Sequence, residues 1–467
     1  MANWGERMMS IAEQRHEQRL WFYFCNVVRR FRFACFFLVC LFLPAGCKQP
    51  VSSRSPSRPV ITFIGWGPAT QRELSMDPSV FEQFTDKTGI AVDFISGPES
   101  MTERLELYHR YLGAKSSTPD VYYIDVVWPA LLAGETVDLN RYLAKESSDQ
   151  IEPLLNNDTV NGRLMAMPFN TELGVLYYRA DLLQKYGYKN PPATWDELEK
   201  MAARIQAAER AAGNNDFWGY VWQGASYEGL TCNALEWQMS YGGGRIIEPD
   251  GSVSVNNPRS VAAMKRARRW IGTISPPSVI AFKEQDSRNV LHAGNAAFAR
   301  DWLWRQFSGE SLLPNPSEMI GITLLPAGPS GRASALGGQS LAISKYSKHP
   351  EDAAALIRYL TSHDEQLLLW KNHAMMPTRR EFYASPEYLQ QRPGVAQLWK
   401  DLGNIAVARP STVSGVHYEE VSRAYFSAVH AILAGEIDAE ASLADVQGKL
   451  ETITGKKSNP PPAGTVP

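Results

Sequence analysis

The chain has 467 residues, enough for two or three domains and a large buried core, which excludes a small scaffold held together by disulfides or metal. With 44% hydrophobic and 21% charged residues it is neither wholly disordered nor fibrous. Forty-seven Lys and Arg against 49 Asp and Glu leave a formal charge of −2, so the basic surplus needed for a nucleic-acid partner is absent.

Arg29, Arg30 and Arg32 precede an uncharged stretch, residues 33–46, that ends in Leu43-Pro44-Ala45-Gly46-Cys47. This is the layout of a signal peptide, and the stretch is shorter than the roughly 20 residues that span a bilayer. Small residues before a Cys resemble a bacterial lipobox, which makes residues 1–46 the signal and Cys47 a lipidated mature N-terminus anchored in the membrane. Pro44 stands where a lipobox usually has an aliphatic residue, with Leu43 one step further out, and an uncleaved anchor is the alternative. Cys25, Cys35 and Cys40 leave with the signal, so no intramolecular disulfide is expected if Cys47 carries lipid. Cys232, in an aromatic stretch without a His pair nearby, reads as a buried apolar residue. Residues 47–59 contain KQPVSSRSPSRP, a Ser/Pro-rich tether that cannot build a core.

The folded body is expected from residue 60 to about residue 455. VITFIGWG reads as a buried strand, SVFEQFTDK as an amphipathic helix, IAVDFIS as a strand, MTERLELYHRYL as a helix and DVYYIDVVW as a third strand. Such alternation predicts an α/β fold with a parallel sheet, and ligands on these sheets bind at the carboxyl ends of strands. A second α/β region follows, with RLMAMPF and GVLYYR as separate strands, then a helix opened by the capping box Thr194-Trp195-Asp196-Glu197. Helices dominate to about residue 271. NAAFAR, GITLLPAG and SLAISK read as later strands and HPEDAAALIRYLTS as a helix, a pattern that returns the chain to its first lobe before it ends in the second. GKKSNPPPAGTVP, which covers residues 456–467, reads as a disordered tail.

PDVYYIDVVW, LGVLYYRADLLQKYGY followed by PPATWDELEKMA, GYVWQGASYEGLTCNALEW, HAGNAAFARDW, ALGGQSLAISK and VARP occur here in the order found in one family. In this combination the chain resembles family 1 extracellular solute-binding proteins of ABC importers, and within them trehalose/maltose-binding lipoproteins, over about residues 60–450. The resemblance implies two lobes of periplasmic-binding-protein type joined by crossing strands, with a ligand cleft between them. Lobe one would comprise residues 60–166 plus 324–365, and lobe two residues 167–323 plus 366–455. It also implies a monomer that needs no cofactor or metal and delivers a sugar to membrane permease subunits served by a cytoplasmic ATPase. Eleven of the 13 Trp follow Cys47, and aromatic faces flanked by carboxylate, amide and guanidinium groups complement a sugar's C–H faces and hydroxyls.

Trp302 and Trp304 follow the strand NAAFAR, at a strand end where a Trp can stack on sugar; packing in the core is the other reading. Asp125 and Trp128 also end a strand, and Asp125 either accepts sugar hydroxyls or caps the next helix. By resemblance, Asn170 and Glu172 take positions where the trehalose/maltose group commonly has a Tyr and an Asp. Gly338 is followed by Gln339 where that group tends to have Trp. Arg409 in VARP and Arg104 match family positions, against the plainer readings of a surface ion pair and a solvated helical Arg. Trp66 and Glu73 belong to the first loop of the expected cleft. The rival classes are a lipid-anchored glycoside hydrolase, which needs a pair of carboxyl groups, and a surface adhesin. The sequence has no HExxH, GxSxG or P-loop pattern and no metal-ligand spacing of His.

Overall fold

The computed structural model describes residues 59–65, 78–98, 101–303, 313–373, 375–386, 402–457 and 459. The expected signal peptide, Cys47, the expected tether up to residue 58, Trp66, Glu73 and Trp304 lie outside the described residues. The first lobe is built by β1 (Val60–Gly65), α1 (Pro78–Thr88), β2 (Ala91–Ser96), α2 (Met101–Gly113) and β3 (Val121–Asp125). β1 pairs in parallel with β2, Val60 opposite Ala91, and with β3, Phe63 opposite Val121. DVYYIDVVW is a strand only as far as Asp125, beyond which the chain turns.

Helices α3 (Asn140–Ser147) and α4 (Glu152–Asp158) and a small hairpin, β4 (Thr159–Val160) with β5 (Arg163–Leu164), lead into β6 (Met167–Arg179). The two expected strands RLMAMPF and GVLYYR are therefore largely one strand of 13 residues. Pro168 and the polar run Asn170-Thr171-Glu172 lie inside it, because β10 (Ser334–Ile343) supplies the ladder on one side. β10 is antiparallel to β3 and to β6, with a bulge between Gln339 and Ser340.

The second lobe follows β6 with α5 (Trp195–Ala211), β7 (Trp218–Val221), α6 (Glu228–Ser240), α7 (Pro258–Trp270), α8 (Glu284–His292), β8 (Ala296–Trp302) and β9 (Ile320–Leu324). After β10 come α9 (Pro350–Leu360), α10 (His363–His373), β11 (Ala406–Val407), α11 (Tyr418–Ala434) and α12 (Ala439–Thr454). The strand order β2-β1-β3-β10-β6-β8-β7, with β11 on β10 and β9 on β6, forms one continuous mixed sheet. β6 and β10 cross from lobe to lobe: Met167, Phe169, Leu341 and Ile343 pack in the first core, whereas Leu173, Val175 and Leu336 pack in the second.

Local chemistry sets the helix starts. Thr194 Oγ1 accepts from Glu197 N (3.2 Å), and Glu197 Oε2 accepts from Ala193 N (2.7 Å), one residue ahead of the usual capping-box partner. Asn257 Oδ1 accepts from Arg259 N and Ser260 N (3.1 and 3.0 Å) just before Pro258, whose fixed φ suits the first helical turn.

The abundance of Trp has a mainly structural cause. Trp195, Trp222, Trp237 and Trp270 form a buried aromatic cluster in the second lobe, with Trp222 and Trp237 edge to face at 5.0 Å. Cys232 is buried on α6, and burial pushes its thiol up to about 12, so it is an inert apolar residue. The start of the C-terminal segment is held to the body: Val253 N donates to Lys457 O (3.2 Å) and Asn459 N to Val253 O (3.0 Å).

Candidate functional site

The carboxyl end of β3 meets β10 at the junction of the lobes. Asp125 lies opposite Gln339 in the ladder, its Oδ1 accepts from Val127 N (3.1 Å), and Val126 N donates to Gly338 O (3.2 Å). Gln339 N donates to Asn170 Oδ1 (3.0 Å) and Gln339 Oε1 accepts from Tyr123 OH (3.1 Å), so Asn170 and Gln339 are buried and already engaged with one another's strands. Gly338 has φ +121°, and a Cβ there would stand 2.3 Å from Asn170 O, so only glycine allows this close approach. Behind the Asp125 turn lie Trp128 and Arg104, 2% and 1% exposed, with the guanidinium 5.4 Å from the indole centroid and Nη1 donating to Pro98 O (3.3 Å). Trp128 also packs edge to face on Tyr108 (5.8 Å). Both residues thus support the turn from the core.

On the other side, β8 ends at Trp302, which is partly exposed. Arg300 places its guanidinium 4.2 Å from the Trp302 ring centroid, and the far edge of the ring lies against Gly337. Arg300 in turn is paired with Glu236, Nη2 to Oε1 at 2.6 Å and Nε to Oε2 at 3.0 Å, both side chains 1% exposed. A Cβ at residue 174 would lie 2.0 Å from Glu236 Oε1, so Gly174 makes room for the pair. Asp301 is engaged by Arg288 of α8 (Nε to Oδ2, 2.5 Å; Nη2 to Oδ1, 3.2 Å), and Glu284, one turn earlier, accepts from Trp302 Nε1 (3.4 Å).

Glu172, opposite Gly337 on β6, lies among these groups. Burial pushes its carboxyl up to about 7; Arg288 opposes the shift, while Asp125, Asp301 and Glu284 add to it. Near neutral pH this group can therefore both donate and accept. Asp125 is raised as well, first by burial, with Arg409 acting against it.

Arg409 links the two sides. Its Nη1 donates to Glu228 Oε1 (2.8 Å), Nη2 lies 3.5 Å from Asp125 Oδ1, and Nη2 also donates to Leu336 O (3.4 Å). Glu228 is in the first turn of α6, where negative charge is favoured, and it also accepts from Tyr418 OH and from Ser422 Oγ (Oε2, 2.5 Å). Arg409 is buried, so the reading as a solvated surface pair does not hold.

The structure thus brings Asp125, Asn170, Glu172, Trp302, Gly338, Gln339 and Arg409 to one junction. Glu284, Arg288, Arg300, Glu236 and Tyr418 complete it and were missed by sequence reasoning. Glu284 and Arg288 at i and i+4 on one helix carried a signal, since that spacing puts both side chains on one face.

A two-lobed α/β molecule with crossing strands, and with aromatic, carboxylate, amide and guanidinium groups gathered between the lobes, is a hinged solute-binding protein in architecture. The chain belongs to the bacterial extracellular solute-binding protein family, whose model matches residues 68–367. It is 44% identical over 377 residues to a probable ABC transporter-binding protein of Deinococcus radiodurans, covering 80% of this chain and 89% of that one. It is also similar to the maltose-bound MalE3 structure of T. maritima, with TM-score 0.76, 36% identity and coverage of 84% of this chain and 99% of that one. The GacH receptor of Streptomyces glaucescens shares the fold at TM-score 0.72 and 20% identity, over 85% of this chain and 99% of that one. The protein is an exported ABC transporter solute-binding protein.

Proposed function

We propose that the chain captures a sugar between its lobes, a disaccharide such as maltose or trehalose or a related glycoside, and presents it to the permease subunits of an importer driven by a cytoplasmic ATPase. The observation that carries this reading is Trp302, a partly exposed indole backed by Arg300 at a strand end and ringed by Glu172, Glu284 and the Arg288–Asp301 pair. An aromatic face beside directional acceptors and donors matches the C–H face and hydroxyl rim of a pyranose. The 36% identity to a structure solved with maltose supports the same ligand class. Asp125, Glu172 and Arg409 are assigned to hydroxyls, with Trp66, Glu73 and Trp304 as further contacts, and closure about β6 and β10 would join the two halves of the site.

Calorimetry with maltose, trehalose, maltotriose and monosaccharides should show saturable binding, with each sugar recovered intact. Trp302→Ala should weaken every bound sugar by about tenfold. Affinities within twofold of wild type would remove Trp302 from the site, and cleavage of the sugar would instead favour a hydrolase.

The same reading makes residues 1–46 a signal peptide and Cys47 the lipid-bearing N-terminus, holding the body at the membrane on its periplasmic or external face. The wild-type chain is expected in the membrane fraction, and Cys47→Ser behind an exchanged cleavable signal in the soluble one. Retention of that variant in the membrane would point to an uncleaved segment.

A further inference from the structure

α4 ends in Asn157-Asp158, where the C-terminal end of a helix disfavours negative charge, yet Asp158 is 1% exposed. Asp158 Oδ2 accepts from Ser340 Oγ (2.5 Å), and Oδ1 accepts from Asn157 Nδ2 (3.2 Å). Asn157 Nδ2 also donates to Val126 O (2.5 Å), and Asn157 O accepts from Thr412 Oγ1 (3.3 Å). Each partner is a near neighbour of a residue at the junction: Val126 follows Asp125, Ser340 follows Gln339 across the β10 bulge, and Thr412 lies three residues past Arg409. One buried polar pair therefore ties together three segments that bring groups to the junction.

We propose that Asn157 and Asp158 are positioning residues for the ligand, fixing the Asp125 turn, the Gln339 bulge and the segment after Arg409 relative to one another without touching the ligand themselves. This rests on the sugar reading only for the choice of ligand. Burial pushes the Asp158 carboxyl up to about 7. The groups acting on it are Ser340 from β10 and Asn157 from its own helix, which oppose the shift, and the like charge of Asp125 at the end of β3, which adds to it; no cation is among them. The ionised carboxylate accepts both bonds. Once protonated on Oδ2 it can donate to Ser340 Oγ while Oδ1 still accepts from Asn157 Nδ2, so both contacts persist but lose the strength of a charged acceptor. Ligand that needs the tied arrangement binds the ionised form better, so protonation below about pH 7 loosens the site.

Asp158→Asn keeps the shape and removes the charge; Ser340→Ala removes the donor from the other side. With maltose as probe, Asp158→Asn should bind about tenfold more weakly than wild type at pH 8, and the ratio should approach one at pH 5.5. Titration of Glu172 is common to both proteins and cancels in that ratio. Amide hydrogen exchange in the unliganded proteins gives a readout that needs no ligand. Exchange at Val126, Val127 and Gln339 should rise in both variants at pH 8, and in wild type, after correction for intrinsic rates, as pH falls through about 7. A pH-independent affinity ratio, or unchanged exchange at those three amides, overturns the positioning role. If no sugar binds wild type while exchange responds as stated, the sugar reading falls and the positioning role stands.

Discussion

Arg300→Met is expected to destabilise the protein by about 3–5 kcal/mol, because it leaves Glu236 as an uncompensated carboxylate in the second core. In the wild type Glu236 Oε1 accepts from Arg300 and from Ala335 N (3.0 Å), and Arg300 Nη1 also reaches Gln223 Oε1 (3.2 Å). The variant would leave the acid with the Ala335 amide alone among these donors. Arg300→Met combined with Glu236→Gln should recover most of the loss, since the neutral amide still accepts from Ala335 and no bare charge remains. Urea midpoints at unchanged m-value measure this. A single variant within about 1 kcal/mol of wild type would show that Glu236 finds water or another donor. Sugar affinity should fall in both variants, because Trp302 loses the guanidinium beneath its ring.

Gly338→Ala is expected to damage both stability and ligand binding. The φ of +121° alone costs an alanine about 1–3 kcal/mol. Its Cβ would also meet Asn170 O at 2.3 Å and Thr171 Cα at 2.7 Å, both backbone atoms of the neighbouring crossing strand, so the strands must part. Parting them loosens the bond from Gln339 N to Asn170 Oδ1 and moves the carbonyl that receives Val126 N. Wild-type affinity for the sugar panel in Gly338→Ala would mean that this stretch of ladder does not shape the site.

The first five elements were legible in the sequence because β1 and the start of β3 are short apolar runs, α1 and α2 are amphipathic, and strand and helix alternate. The crossing strands were not. Pro168 and the run Asn170-Thr171-Glu172 interrupt the apolar pattern of β6, which read as two strands, and Gly337-Gly338 interrupt that of β10, of which only SLAISK read as a strand. These polar or bare residues lie at the junction where the ligand site is proposed, the kind of place where sheet periodicity yields to function. Trp302 and Asp125 stood out by type and by their place at strand ends, and Arg409 through resemblance. Asp158 did not, since Asn-Asn-Asp at the end of a short helix reads as solvated chain. Its burial depends on Ser340, 182 residues away.

Pairing of residues 121–125 with residues 339–343 also sets the order in which the molecule can form. A growing chain that stops before residue 334 lacks the strand that stands between β3 and β6, so the continuous sheet has an open gap at its centre. No N-terminal fragment of that length can close its core, and contacts at this separation are slow to find. For an exported protein this delay is useful. A leading segment that cannot complete its sheet would fold more slowly and so thread more easily through a translocation channel, with the late strand completing the sheet of both lobes.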